Sequence, residues 1–222
     1  GATPPGPITS PAPLTPEQEA KVRKAQALRE NRIENETHGA LVDRVQQLLD
    51  ANLVHGLSAE ERAFLSDPRN LRLAVDKDVV SVRSLEEALR GGGIRRDQLR
   101  IEEAKAALAA ESHPDVNEEM KRTTTGGGDF HTGKREDGTR EEWSHKAIVD
   151  GDTTRASKEI RSQAEKIMNG KEAESVLVEL RGMSPTEVAA KRAEIEALIA
   201  EQNRLLRDAG KPELRVVLVE TP

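Results

Sequence analysis

Two histidines in one short segment are the side chains of this sequence best suited to proton transfer. His131 and His145 lie between Gly126 and Lys146, in a stretch that also contains the only tryptophan and one of the two phenylalanines. The pKa of a free imidazole is close to neutrality, so two such rings beside one phosphodiester can act as general base and general acid. The alternative interpretation is that both are ordinary surface residues of a polar hairpin.

Cationic and hydroxyl side chains close to these histidines in the sequence would serve the same chemistry. Cations stabilise the charge that develops on a phosphate during cleavage, and a hydroxyl can donate a hydrogen bond to it. The predicted catalytic set has four members: His131, His145, Lys146 and Thr154. Two further cations are predicted to bind phosphate: Lys134 and Arg155.

Metal chemistry is the alternative for the same segment. The chain has no cysteine, so a thiolate site is excluded, and no two histidines have the spacing of a helical zinc motif. If a metal were used, Asp129 and Glu142 would be its ligands. We predict that cleavage needs neither a metal nor another cofactor, because histidines move protons without one.

A β-hairpin is predicted to carry the two histidines. Its strands would be residues 129–135 and 139–149, with Asp137-Gly138 as a two-residue turn. This turn places residue 131 opposite residue 144, so the two histidines start on opposite faces. A one-residue bulge would bring them to one face.

The elements after the hairpin follow a strand–helix–strand pattern. Apolar spacing predicts helices at 154–169 and after Pro185, and strands at 175–180 and 216–219. The last two strands, joined by a long helix, form a parallel crossover unit. The predicted fold class is α+β: an N-terminal helical module followed by a small β-β-α-β-α-β domain, with one mixed sheet covered by helices.

Changes in composition divide the chain into four parts. Residues 1–16 are a proline-rich linker, 17–112 a helical module, 113–127 a polar linker and 128–222 the α/β domain, which is expected to fold by itself. Within the module, Thr15 and Ser58 start helices through capping boxes. Residues 71–82 are predicted to form a strand pair.

Composition also limits the function. Aromatic residues make up 1% of the 222 residues, so a stacking platform for bases is excluded. The net charge of −6 argues against a broad basic surface for nucleic acid, but a local phosphate pocket remains compatible with it. No apolar run approaches ~18 residues, so no membrane anchor is predicted.

Residues 128–222 resemble the toxin domains that end contact-dependent growth-inhibition proteins and related bacterial polymorphic toxins. The resemblance rests on an Asp-Phe strand, a D-G hairpin, a strand ending in lysine, a helix containing glutamine and a valine-rich strand. The matching residues are Asp129-Phe130, Asp137-Gly138-Thr139, Trp143 to Lys146, Gln163 and Ser175 to Leu180. Metal-dependent members carry E-x-K on the second strand, where Ser144 stands here, and this difference favours histidine chemistry.

The resemblance implies a secreted or cell-surface-delivered toxin that cleaves RNA, including tRNA, in the cytoplasm of a competitor cell. Residues 17–112 would serve delivery, and a cognate immunity protein would be the partner of the toxin domain. Two other classes stay open. One is a non-enzymatic helical interaction protein, which the acidic charge and few aromatics fit. The other is a toxin enzyme of another kind, either a metal-dependent nuclease or an NAD-consuming enzyme.

Overall fold

The structure is a computed structural model, and it describes residues 1–7, 10, 12–124, 127–133 and 139–222. Within residues 27–36 it describes the backbone alone. The predicted Asp137-Gly138 turn and the predicted phosphate ligand Lys134 lie outside the described residues.

The N-terminal half is helical, as its sequence predicts. Its helices are α1 (Pro16–Asp50), α2 (Ala59–Leu65), α3 (Pro68–Ala74), α4 (Val82–Arg90), a 3-10 helix (Arg96–Gln98) and α5 (Ile101–Glu111). Two short strands, β1 (Val54–His55) and β2 (Ile94–Arg95), pair in parallel between them. No helix in the described part of the chain is both long and apolar enough to cross a membrane.

Local capping decides where several of these helices begin. The Thr15 hydroxyl accepts a hydrogen bond from the backbone of Gln18, and Ser58 accepts one from Glu61, so both predicted capping boxes are confirmed. The predicted strand pair at 71–82 is wrong, because α3 covers its first part. Asp67 accepts from the Arg69 backbone and proline follows at the first helical position, which together start a helix.

The C-terminal half forms a five-stranded mixed sheet and two helices. The strands are β3 (Lys121–Arg122), β4 (Phe130–Thr132), β5 (Glu141–Val149), β6 (Ser175–Arg181) and β7 (Val216–Thr221), in that spatial order. The helices are α6 (Thr154–Met168) and α7 (Pro185–Asp208). Strands β3 to β5 pair antiparallel and β5 to β7 pair in parallel. The predicted α+β class and the β-β-α-β-α-β order from β4 onward are confirmed.

The register of the hairpin differs from the predicted one. His131 pairs with Glu142 instead of residue 144, and the pairing ends at Thr132 and Glu141. The described pairs are therefore offset by two residues from the register that a two-residue turn at Asp137-Gly138 would give. A two-residue shift preserves the alternation of faces.

Each face of the sheet packs against different helices. Ile148 and Val178 join α6 and α7 in one buried cluster. Trp143, Leu177 and Val217 join the N-terminal helices in the other, where α5 packs on β7. This second cluster includes Val116 and Met120 from the predicted linker 113–127, a range that also contains β3. The division into a helical module and an α/β domain stays a prediction.

Candidate active site

A cleft of about 580 Å³ opens between the sheet and the start of α5. It lies beside the carboxyl ends of the parallel strands β5 and β6, where ligands commonly bind in sheets of this kind. Its walls come from the 3-10 helix, α5, β5, β6 and the first turn of α6. The lining residues are Arg96, Asp97, Leu99, Arg100, Glu102, Glu103, Asp129, His145, Lys146, Ala147, Val149, Asp152, Arg155 and Arg181.

A histidine–carboxylate pair stands at the base of this cleft. The Nε2 atom of His145 lies 2.8 Å from Oε1 of Glu179, which projects from the neighbouring strand β6. Both residues are more than nine-tenths buried. Parallel pairing fixes the distance, because His145 is opposite Leu177, and Glu179 follows two residues later on the same face.

The hydrogen bonds around Glu179 keep its carboxyl ionised. Arg181 donates from Nη2 and Nε at 2.8 and 2.9 Å, and the Thr221 hydroxyl donates as well. Burial alone would raise the pKa of Glu179, but the hydrogen bonds from His145, Arg181 and Thr221 lower it to about 2. A permanent negative charge therefore faces the His145 ring.

This charge selects one form of the imidazole. With Glu179 ionised, Nε2 of His145 carries the hydrogen that it donates to the carboxylate. Nδ1 is then the nitrogen with a lone pair, and it is the atom that can accept a proton. The carboxylate also stabilises the imidazolium that results, as in histidine–carboxylate pairs of hydrolases.

Asp129 adds a second titratable group at the same place. Its Oδ2 accepts a hydrogen bond of 2.7 Å from the backbone N–H of His145. Burial raises the pKa of Asp129, and the nearby Glu103 acts in the same direction, although the hydrogen bond from His145 and the charge of Arg122 oppose them. His145 thus contacts two carboxyl groups: Glu179, which has a lowered pKa, and Asp129, which has a raised pKa. Two carboxyl groups with pKa values shifted in opposite directions are typical of acid–base sites.

Cations and carboxylates line the cleft in equal numbers. The five cations are Arg96, Arg100, Lys146, Arg155 and Arg181, and the five acids are Asp97, Glu102, Glu103, Asp129 and Asp152. Arg96 contacts Glu61 and Glu102, and Arg181 contacts Glu179. The cleft therefore has no strong overall field, so phosphate binding would depend on individual side chains, of which Arg100 and Arg155 are the most exposed.

The structure brings several of the predicted residues together. His145, Lys146 and Arg155 all line the cleft, and so does Asp129. Lys146 reaches it from β5, with Nζ 3.9 Å from the carboxylate of Glu159. Thr154, the first residue of α6, lies beside the cleft, where its backbone N–H donates to Asp152.

Two predicted residues lie elsewhere. His131 lines a different, smaller cavity, and the Thr123 hydroxyl is 3.3 Å from its Nδ1. Glu142 accepts hydrogen bonds from Arg140 at 2.6 Å and from Thr123 at 3.4 Å, and it does not line the cleft. The two histidines therefore occupy separate cavities.

Sequence reasoning missed the partners of His145. Glu179 and Arg181 lie in the run Ser175–Arg181, and an acidic residue inside an otherwise apolar parallel strand was the signal that could have identified the first of them. Arg96 and Arg100 were missed for another reason. They belong to the helical half, which was assigned to a separate module.

Two further findings bear on function. Within the described ranges, no three His, Asp or Glu side chains are placed to hold one metal ion. Comparisons with models of protein families, with curated proteins and with solved structures gave no match to this chain. Inference about its function therefore depends on its own geometry.

Proposed function

We propose that this chain cleaves RNA and that the cleft around His145 is its active site. The observation that carries the proposal is the His145–Glu179 hydrogen bond of 2.8 Å, within a cleft that also contains Asp129 and exposed arginines. A histidine that donates a hydrogen bond to an ionised carboxylate can accept a proton at its other ring nitrogen, as a general base does. The arginines are suited to a substrate that carries phosphate.

The proposed reaction transfers two protons around one phosphorus. Nδ1 of His145 removes the proton of the ribose 2′-hydroxyl, and the 2′-oxygen forms a bond to phosphorus. The bond from phosphorus to the 5′-oxygen breaks, and the carboxylic acid form of Asp129, which burial favours, gives its proton to that oxygen. The products are a 2′,3′-cyclic phosphate and a 5′-hydroxyl. Asp129 replaces His131 as the acid, because His131 lies in another cavity.

Arginine and lysine side chains would hold the phosphate during this reaction. Arg155 lies in the first turn of α6, and Arg100 faces the cleft from the segment before α5. Lys146 lies next to the base in sequence. Cations placed around the reacting group stabilise the charge on its oxygens in the transition state.

The biological setting of the proposal comes from the resemblance to growth-inhibition toxins. In that setting the chain acts in the cytoplasm of a competitor cell, after delivery as part of a larger protein. The producing cell then needs an immunity protein. An immunity protein that covers the cleft would block phosphate access, so its binding is expected to protect His145 and Arg155.

The test is RNA cleavage by purified protein. Total RNA incubated with the full chain is expected to give fragments with cyclic phosphate ends. The His145→Ala substitution should lower the rate by ~10²–10⁴-fold, the usual contribution of a general base. His131→Ala is the matched control: it removes an equally buried imidazole outside the cleft and should retain most of the activity.

Both variants are first compared with the parent chain by circular dichroism, so that loss of folding is separated from loss of chemistry. Equal losses in the two folded variants would return His131 to the mechanism. Absence of RNA cleavage by the folded parent chain would contradict the proposed function.

A further inference from the structure

The cavity that contains His131 is a second candidate binding site, separate from the cleft. It measures about 190 Å³ and lies where α3 meets β3 and β4. The lining residues are His38, Arg69, Arg72, Leu73, Glu119, Met120, Lys121, Arg122, Thr124 and His131. None of the residues proposed for RNA cleavage is among them.

Arg122 is fixed in one orientation in the wall of this cavity. Its Nε donates to the carbonyl oxygen of Leu73 at 2.9 Å, and its Nη1 donates to Glu103 at 2.9 Å. The guanidinium carbon lies 4.3 Å from the centre of the Phe130 ring. Two of its three nitrogen atoms are thus used by the fold, and the side chain is almost completely buried.

The remaining nitrogen of Arg122 has no partner. Nη2 is buried, and it makes no hydrogen bond to any residue that the structure describes. The hydroxyl oxygen of Thr124, two residues further along the chain, is in the same condition. Buried donors without partners cost folding free energy and are rare in native proteins, so two of them at one cavity call for a missing partner.

The charge of the cavity indicates what that partner is. Four cations line it, namely Arg69, Arg72, Lys121 and Arg122, against a single acid, Glu119. In the cleft, by contrast, the numbers of cationic and acidic side chains are equal. Arg69 contacts Glu111 and Glu119, and Lys121 is exposed at this cavity.

We propose that the cavity binds a small oxyanion, such as the phosphate or carboxylate group of a small molecule, through Arg122 and Thr124. A guanidinium matches the geometry of oxyanions, and charge-assisted hydrogen bonds of this kind are among the stronger ones in proteins. Lys121 adds positive charge at the rim. The site is independent of the proposed RNA cleavage, because it shares no lining residue with the cleft.

Calorimetric titration of the full chain tests this proposal. Inorganic phosphate and acetate are the two probes, and sodium chloride at the same ionic strength is the blank. Saturable binding of at least one probe is expected. Thr124→Val, which keeps the shape but removes the hydroxyl, should weaken that binding by about tenfold, the effect of one charge-assisted hydrogen bond.

Thr124→Ser is the matched control, since it keeps the hydroxyl and should bind like the parent chain. Thr124→Val should also be at least as stable as the parent chain without a probe, because the lost hydroxyl has no partner. Arg155→Gln shows whether the measured binding occurs in the cleft instead.

Three outcomes would overturn the proposal. The first is that neither probe gives saturable binding, in which case ordered water fills the cavity. The second is equal affinity of the valine and serine variants. In the third, Arg155→Gln abolishes the binding and Thr124→Val leaves it unchanged.

Discussion

The two cavities that hold the buried histidines differ in how their charges are paired. In the cleft, the ionised carboxylate of Glu179 accepts hydrogen bonds from His145, Arg181 and Thr221, and positive and negative side chains balance. In the smaller cavity, Arg122 and Thr124 each leave one buried polar atom without a hydrogen-bond partner among the described residues, and the lining has more cations than acids. In the first arrangement the buried carboxylate has all of its hydrogen-bond donors in place, which suits proton transfer. The second leaves hydrogen-bonding atoms of Arg122 and Thr124 unused and suits binding.

The position of each cavity in the sheet explains this difference. The cleft lies at the carboxyl ends of β5 and β6, where parallel pairing sets side chains of adjacent strands in fixed register. The small cavity lies at the antiparallel edge, where β3 contributes only two residues. Arg122, which lines the small cavity, contacts a residue of the cleft: its Nη1 donates a hydrogen bond to Glu103, and Glu103 lines the cleft.

Removal of the N-terminal half is the largest change that bears on this comparison, because both cavities take one wall from it. A fragment of residues 127–222 would expose the sheet face that carries Phe130, Trp143, Leu177 and Val217. Each such side chain contributes roughly 1.5–3 kcal/mol when fully buried, and a whole domain is stable by only about 5–15 kcal/mol. We expect no cooperative thermal unfolding transition for this fragment, as measured by circular dichroism.

A fragment of residues 15–222 is the control for that experiment. It removes the segment before α1 but keeps both walls of the cleft, so it should unfold like the full chain. A cooperative transition in the 127–222 fragment would show instead that the α/β part folds alone, as the composition of the sequence predicts.

The order of the C-terminal elements could be predicted from the sequence because local patterns specify it. The apolar run Val216–Val219 and the spaced apolar residues of α7 are typical of a parallel crossover unit, and the structure contains one. Capping at Thr15 and Ser58 was equally local. Each of these features is determined by residues that are close in sequence, so the sequence is enough to predict it.

The composition of the site could not be predicted in the same way. Glu179 meets His145 only after two strands pair in parallel, and the sequence separates them by 34 residues. The hairpin register depends on which residues form the turn, and the described pairs do not fit the two-residue turn that the Asp-Gly dipeptide predicts. Arg96 and Arg100 line the cleft because the N-terminal helices pack against the C-terminal sheet, and the sequence predicts these two parts as separate units.

Acid titration sharpens the contrast between paired and unpaired charges. The pKa of Glu179 is about 2 in the folded protein and near 4.5 in the unfolded chain. Its hydrogen bonds therefore stabilise the fold above pH 4.5, and this stabilisation is lost as the pH falls towards 2. The contribution is on the order of 3 kcal/mol. Urea unfolding at several pH values measures this contribution as the difference in the free energy of unfolding between the parent chain and Glu179→Gln.

That difference should be largest near pH 7 and should shrink below pH 4.5. Thr124→Val provides the matched comparison, because its change lies in the small cavity and involves no titrating group. Its stability relative to the parent chain should stay constant with pH. A pH-independent difference for Glu179→Gln would contradict the assignment of acid sensitivity to the cleft.

Chelation is expected to have the smallest effect, because the proposed chemistry of the cleft moves protons with side chains alone. RNA cleavage should continue in excess EDTA and should follow a bell-shaped pH profile, since one group must be unprotonated and another protonated. Loss of activity on chelation, restored by magnesium or manganese, would contradict this mechanism. Asp129, which lines the cleft, would then be the first candidate ligand, as the sequence predicts. Glu142, the other ligand that the sequence predicts, does not line the cleft, and its carboxylate accepts hydrogen bonds from Arg140 and Thr123.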